Sequence, residues 1–236
     1  MRITRVYQEK IDTILDDTAS HYLARVLRCR INDACILFNG QGIEVPATIT
    51  DISKTSVTVR LDQPVECHRE SPLFIHLAQA VPKGDKMDWI LQKATELGAQ
   101  EITPLWTEYS DVKFSTERLK KKLTHWQRVL ISAAEQSGRT VLPKLNPPCT
   151  LKELSITQPT VLLSPRGNQS LTTLTQPPPT QLMLCIGPEG GFSVEEETWA
   201  TQQNIILIKM GTRILRTETA AMSAIATAQI LWGDFK

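Results

Sequence analysis

From residue 73 onward two textures alternate along the chain, and this limits its fold more than any other feature. Apolar runs of strand type, "LFIHLAQA", "EITPLW", "TVLLSP", "QLMLCIGP" and "NIILIKMG", are separated mainly by stretches of helical periodicity. In "DKMDWILQKATELG" the residues Ile90, Leu91, Ala94 and Leu97 share one face, and Gly98 suits the turn that ends a helix. "STERLKKKLTHWQRVLISAAEQ" places Leu119, Leu123, Trp126 and Leu130 on one stripe. "SVEEETWATQ" and the alanine-rich "TETAAMSAIATAQILW" complete the set. A helix between two strands returns the chain to the same end of the sheet, so such strands pair in parallel. The expectation for residues 73–236 is a largely parallel α/β sheet with helices on both faces, interrupted by the Pro/Thr-rich loop "LTTLTQPPPTQ".

Residues 1–70 read as mostly β. In "ACILFNGQGIEVPATI", Asn39-Gly40 between two apolar runs signals a hairpin, and "SVTVRL" alternates as a half-buried strand should. One short helix is expected at "SHYLARVLR", with Leu23, Val26 and Leu27 on a shared face. Several short strands and one helix suggest a small barrel, followed by a polar linker, "ECHRESP".

Composition narrows the partners little. Lys+Arg 26 against Asp+Glu 25 gives a net charge of +1, so only local clusters can speak for a nucleic acid. The five cysteines are scattered without a CxxC pair and the four histidines show no ligand spacing, so a reduced, metal-free cytoplasmic protein is expected. No apolar run is long enough to span a bilayer, and "MRITRVYQEK" lacks the apolar core of a signal peptide, so no membrane partner is expected.

In open parallel sheets, ligands bind beyond the carboxyl ends of strands. "LCIGPEGGFSVEEE" offers such an end, with Gly187, Pro188, Glu189, Gly190 and Gly191 after an apolar run. No GxxxxGK[ST] or GxGxxG pattern is present. Ser193 and Glu196 have the spacing of a capping box, which puts Glu195, Glu196 and Glu197 in the first helical turn. A helix start already supplied with carboxylates speaks against a phosphate ligand and for a neutral or cationic one. The alternative is a tight turn whose glutamates only cap a helix. In "KMGTRILRTETAAMSA" a second strand ends at Met210-Gly211, and Thr217 can cap the last helix with Glu218 in its first turn. Two glycine-bearing strand ends in one sheet could wall a single pocket, with Arg216 and Glu218 at its rim. The alternative for these two is a surface ion pair.

"GPEGGFS" followed by "RILRTETA" resembles the bacterial 16S ribosomal RNA (uracil-N3) methyltransferase family, of the SPOUT superfamily. "HYLARVLR", "KGDKMDWILQKATELG" and "RVLISAAEQSGR" with Pro143 extend the similarity along the whole chain. Met210 departs from the leucine usual in the family, a swap that conserves volume. The resemblance implies a PUA-like, RNA-binding β-barrel over residues 1–70 and an α/β knotted methyltransferase domain with a deep C-terminal trefoil knot over 73–236. Strand and helix patterns do not predict a knot. It further implies a homodimer packed through the knot and the last helix. The implied cofactor is S-adenosyl-L-methionine (SAM), and the implied partner is 16S ribosomal RNA or the small ribosomal subunit. The implied SAM positions are Leu163, Ile186, Gly187, Pro188, Glu189, Gly190, Gly191, Met210, Gly211, Ile214, Leu215, Arg216, Thr219 and Ala220.

Methyl transfer to uracil N3 requires two positioned reactants, removal of the N3 proton and a cationic donor for the charge that spreads onto the flanking carbonyls. Arg216 is the expected donor, and Glu218 or Glu189 the proton acceptor or its orienter; either glutamate could instead bind loop amides. Arg25, Arg28 and Arg30 are the expected phosphate contacts, with Lys83, Lys86 and Lys93 nearer the pocket and Arg139, at another helix end, also able to face RNA. Lys113, Arg118, Lys120, Lys121, Lys122 and Arg128 decorate the long helix, where a solvated face is the competing reading. Two other functions compete with this one. A non-catalytic RNA-binding module has no need of two glycine-rich strand ends, and a nucleotide-using enzyme lacks its phosphate-loop lysine.

Overall fold

The computed structural model describes residues 3–110, 114–174 and 178–235, and Lys113 lies outside them. The chain forms two compact units, one of residues 1–70 with 131–142 and one of 71–130 with 143–236.

The first unit is a five-stranded sheet. Strand β1 (Thr4–Tyr7) is followed by helix α1 (Asp17–His21), then β2 (Ala34–Phe38), β3 (Ile43–Ile52), β4 (Val57–Leu61) and β5 (Val65–Glu66). The ladders run β1-β2-β3-β4, with β5 also on β3; β1 and β2 are parallel and the rest antiparallel. Residues 13–15 bond to the free edge of β4, through Val59 N–H to Thr13 O and Leu15 N–H to Val57 O. Residues 4–15 thus run from one edge of the sheet to the other. The hairpin expected at Asn39-Gly40 joins β2 and β3, and Gly40 and Gly42 adopt φ of 77° and 95° there, conformations that favour glycine.

The short helix departs from expectation. A π-helical turn, Tyr22–Val26, follows α1, and Leu27 N–H donates to Tyr22 O. The wider turn breaks the shared apolar face. Leu23 is buried, but Val26 and Leu27 are 58% and 40% exposed. A second difference concerns residues 131–142, which the sequence reading assigns to the second domain. They pack in the first unit because Glu135 accepts from Tyr7 N–H at 3.0 Å, Gly42 N–H donates to Thr140 O and Leu142 N–H donates to Gly40 O.

The second unit is the expected parallel sheet. Its elements are β6 (Phe74–Ala80), α2 (Lys86–Glu96), β7 (Glu101–Trp106), α3 (Thr116–Ser137, of which the residues from 131 on belong to the first unit), β8 (Lys144–Leu145), β9 (Cys149–Thr150), β10 (Thr160–Leu163), β11 (Gln181–Ile186), α4 (Val194–Gln202), β12 (Ile206–Ile208) and α5 (Thr217–Trp232). The strand order is β12-β10-β11-β6-β7-β8, with β9 beside β7, and every ladder is parallel. Alternate residues of the strands feed two cores. Ile75, Leu77, Leu182 and Leu184 pack with Ile90 and Leu91 of α2, Trp126 and Leu130 of α3, and Ala221, Ala224, Ile225 and Ala228 of α5. Ala78, Ala80, Met183 and Cys185 pack on the other face with Leu151, Leu154 and Ala200 of α4. The small side chains of α5 let it lie close against α2, β6 and β11.

Candidate functional site

Because β10 lies between β11 and β12, the carboxyl ends of three neighbouring parallel strands open on one side. Their exit loops enclose a cavity of about 310 Å³. Leu163, Ile186, Gly187, Pro188, Glu189, Gly190, Gly191, Met210, Gly211, Ile214, Leu215 and Ala220, all named in the sequence reading, line it together. Arg216, Glu218 and Thr219 are not among the lining residues. Strand β12 already ends at Ile208, so Met210 and Gly211 belong to the exit loop.

Backbone geometry explains the glycines. Gly191 and Gly211 have φ of 71° and 75°, and a Cβ on either would meet no atom within 4 Å. Both therefore present bare backbone to open space, in a conformation that side chains strain. Gly187 is needed for a different reason. A Cβ there would lie 3.0 Å from the Gly191 carbonyl carbon, where the loop folds back through Gly191 N–H to Pro188 O.

The capping box forms as expected. Glu196 N–H donates to Ser193 Oγ, and Ser193 N–H donates to Glu196 Oε2. The three glutamates nevertheless divide. Glu195 is exposed, and Glu196 also accepts from Glu108 N–H. Glu197 turns inward to line the cavity and is buried. It accepts from Ser164 Oγ at 2.5 Å and from Arg166 Nε at 2.7 Å. Arg166 also donates to Phe192 O at 2.8 Å. One guanidinium thus joins the exit of β10 to the loop after β11. Sequence reasoning missed Ser164, Arg166 and Glu197. The signal was a third strand end, "LLSPRGN", whose Gly167 leaves no room for a Cβ, which would stand 2.6 Å from the Ile208 carbonyl carbon.

The start of α5 also differs. Arg216 occupies the N-cap position and its side chain makes no capping hydrogen bond. Thr217 is the first helical residue and is buried. Its hydroxyl donates to Gly187 O at 2.6 Å and accepts from Gln79 Nε2 at 2.9 Å. The residue expected to cap the helix instead pins it to the glycine loop and to the end of β6.

The basic residues separate clearly. Arg25, Arg28 and Arg30 are exposed. Lys83 is exposed in the loop before α2. Lys86 is engaged, with its Nζ 2.7 Å from Glu189 Oε1 and 3.8 Å from Glu218 Oε2. Burial alone would raise the Glu189 carboxyl. The Lys86 ammonium and the backbone N–H groups of Glu189 and Lys83 outweigh that and hold it below the usual carboxylate range. Lys93 pairs with Glu96 at 2.9 Å. Arg139 is not the exposed cation expected. Its side chain is buried and forked onto Glu70, because a charge inside the unit needs a partner. Among the described residues no group of His, Cys, Asp and Glu could hold a metal ion, and no helix is long and apolar enough to cross a membrane.

Known proteins resemble this chain over its full length. Residues 69–229 match the model of an RNA methyltransferase domain, and residues 15–62 that of an RNA methyltransferase PUA domain. A Legionella pneumophila protein solved with bound cofactor SAM is 37% identical, with a TM-score of 0.94 and full coverage of both chains. A ribosomal RNA small subunit methyltransferase E from Neisseria gonorrhoeae, bound to S-adenosyl methionine, is 34% identical, with a TM-score of 0.90 and full coverage of both. The protein of that name from Buchnera aphidicola is 33% identical over 100% of this chain and 96% of its own. With both domain models matched and likeness over its full length, this chain belongs to the ribosomal RNA small subunit methyltransferase E family.

Proposed function

We propose that this chain methylates N3 of a uridine in 16S ribosomal RNA, using SAM as donor. The observation that carries the reading is the cavity at three parallel strand ends, whose walls are bare glycine backbone at Gly191 and Gly211. Open backbone there offers amides and carbonyls to an adenosine, and relatives similar over their full length are solved with SAM. Bound SAM supplies a methyl group on a positively charged sulfur. Within the cavity the carboxylates of Glu189 and Glu197 are each matched by a cation, Lys86 and Arg166. The Arg216 side chain is exposed and free of any capping bond, so it can reach the uracil carbonyls and stabilise charge that develops there. Glu218 and Glu189, which share the Lys86 ammonium at the rim of the cavity, are the carboxylates assigned as proton acceptor or its orienter. N3 lies on the pairing edge of the base, so the target must be unstacked or single-stranded.

Residues 1–70 act in this reading as the RNA-binding domain, with Arg25, Arg28 and Arg30 on phosphates and Lys83 contributing from the methyltransferase domain. Lys86, Lys93 and Arg139, engaged with carboxylates, serve the protein's own structure. The knot is part of the proposal. It is supported by the out-of-sequence neighbours β12-β10-β11-β6 and by Thr217, which anchors the last helix to the loop after β11. So is a homodimer through α5, whose Ile230 is 60% exposed, acting in the cytoplasm where ribosomal RNA is processed. Calorimetry with SAM and with ATP tests the cofactor. The reading expects SAM alone to bind, and binding of ATP alone contradicts it. Arg216→Ala tests the donor, with lost single-turnover methylation and retained SAM affinity expected; normal turnover removes Arg216 from the mechanism.

A further inference from the structure

Two carboxylates reach the same ammonium from different parts of the sequence. Glu189 comes from the loop after β11 and Glu218 from the first turn of α5, and Lys86 at the start of α2 stands between them. Their surroundings are unequal. Glu189 Oε1 takes the Lys86 ammonium at 2.7 Å, and backbone N–H groups of Glu189 and Lys83 also bond its carboxylate. Glu218 lies 3.8 Å from Lys86, and its Oε2 is buried with no hydrogen-bond partner. The Glu218 side chain retains 18% exposure, so it is not sealed from a substrate. A carboxylate whose lone pairs are occupied by an ammonium and backbone N–H groups is a poor acceptor, whereas one that is farther from that cation and has an unoccupied oxygen keeps more of its capacity to take a proton.

We infer that Lys86 is a positioning residue that commits Glu189 to the glycine loop and leaves Glu218 to take the proton from uridine N3. This rests on the functional reading above. In the step, the N3–H bond breaks, the proton joins a Glu218 oxygen and the electron pair stays on N3. N3 bonds the methyl carbon as the carbon–sulfur bond breaks, and that pair returns to sulfur. Solvent then removes the proton from Glu218. Arg216, two residues before Glu218, meets the charge on the uracil oxygens, so donor and acceptor come from one helix start. Lys86 keeps two nearby carboxylates from facing each other without a cation between them.

The test compares Glu218→Gln, Glu189→Gln, Lys86→Met and Lys86→Arg. Methyl transfer to small-subunit RNA is measured in a single turnover at saturating SAM, SAM affinity by calorimetry, and folding by thermal melting. Glu218→Gln is isosteric and is expected to slow transfer by about 100-fold or more, with SAM affinity held within about threefold. Glu189→Gln is expected to act chiefly on SAM affinity, weakening it by about tenfold. Lys86→Met should lower both rate and affinity, and Lys86→Arg should restore most of each. The assignment is overturned if Glu218→Gln transfers at close to the wild-type rate, if Glu189→Gln is the variant that loses the rate, or if Lys86→Met matches wild type in both readouts. Failure of the wild-type chain to methylate N3 at all would overturn the functional reading, and this assignment with it.

Discussion

Arg25, Arg28 and Arg30 on one side, and Lys86, Lys93 and Arg139 on the other, are equivalent by formal charge but differ in their surroundings. The first three are exposed and make no side-chain ion pair among the described residues. The second three are each held by a carboxylate: Glu189, Glu96 and Glu70. An unpaired, exposed guanidinium costs nothing to keep and is available to a phosphate. A cation that already has a carboxylate must break that pair before it can bind anything else. A basic residue in this chain is therefore an RNA candidate through what it lacks around it, not through its position near the pocket.

That contrast can be broken at its strongest point first. Arg139→Ala leaves Glu70 without its guanidinium inside the first unit, and a loss of about 3 kcal/mol in unfolding free energy is expected by urea titration. RNA affinity of the remaining folded protein should not change. A stable variant that loses RNA affinity would move Arg139 into the RNA-facing group. Next comes the double reversal Arg25→Glu with Arg28→Glu. The expectation is a fall in RNA affinity of about 100-fold and a salt slope shallower by about 2, with SAM affinity intact. An unchanged slope across a salt series would dissolve the contrast from the other side.

Pairing should also decide pH response. His76 is buried, bonded to Thr103 Oγ1 at 2.7 Å, and burial holds its pKa below the usual histidine value despite the opposing Glu101. The folded state then binds fewer protons than the unfolded chain, so stability is whole above about pH 6.5 and falls as pH drops toward the depressed value. His76→Gln should flatten that acid-side loss in melts between about pH 5 and 7; an unaltered slope would show that other groups cause it. The smallest effect is expected at Lys93→Ala. It removes a partly exposed pair within one helix and should cost about 0.3–0.5 kcal/mol by urea titration.

Much of the second unit was legible because its signals are local. Strand-type runs and helix stripes recur within a few residues, and α5 spans the segment that its alanine-rich pattern marks. The glycine loop and the capping box at Ser193 and Glu196 were legible for the same reason. The unread features join residues far apart. Arg166 meets Glu197 across 31 positions, Thr217 meets Gln79 across 138, and Arg139 meets Glu70 across 69. No periodicity carries such information. The acidic helix start shows the consequence. Its charge speaks for a neutral or cationic ligand, yet Glu197 is matched inside the fold by Arg166 and Ser164. The π-turn at Tyr22–Val26 failed differently, since an apolar pattern of ordinary helical period cannot announce a wider turn.

The base that is modified decides the function. Mass spectrometry of small-subunit ribosomal RNA should be compared between cells that carry this chain and cells from which it is deleted. One N3-methyluridine is expected to disappear on deletion and to return with the wild-type chain but not with Arg216→Ala. An unchanged modification map in the deletion cells would contradict it.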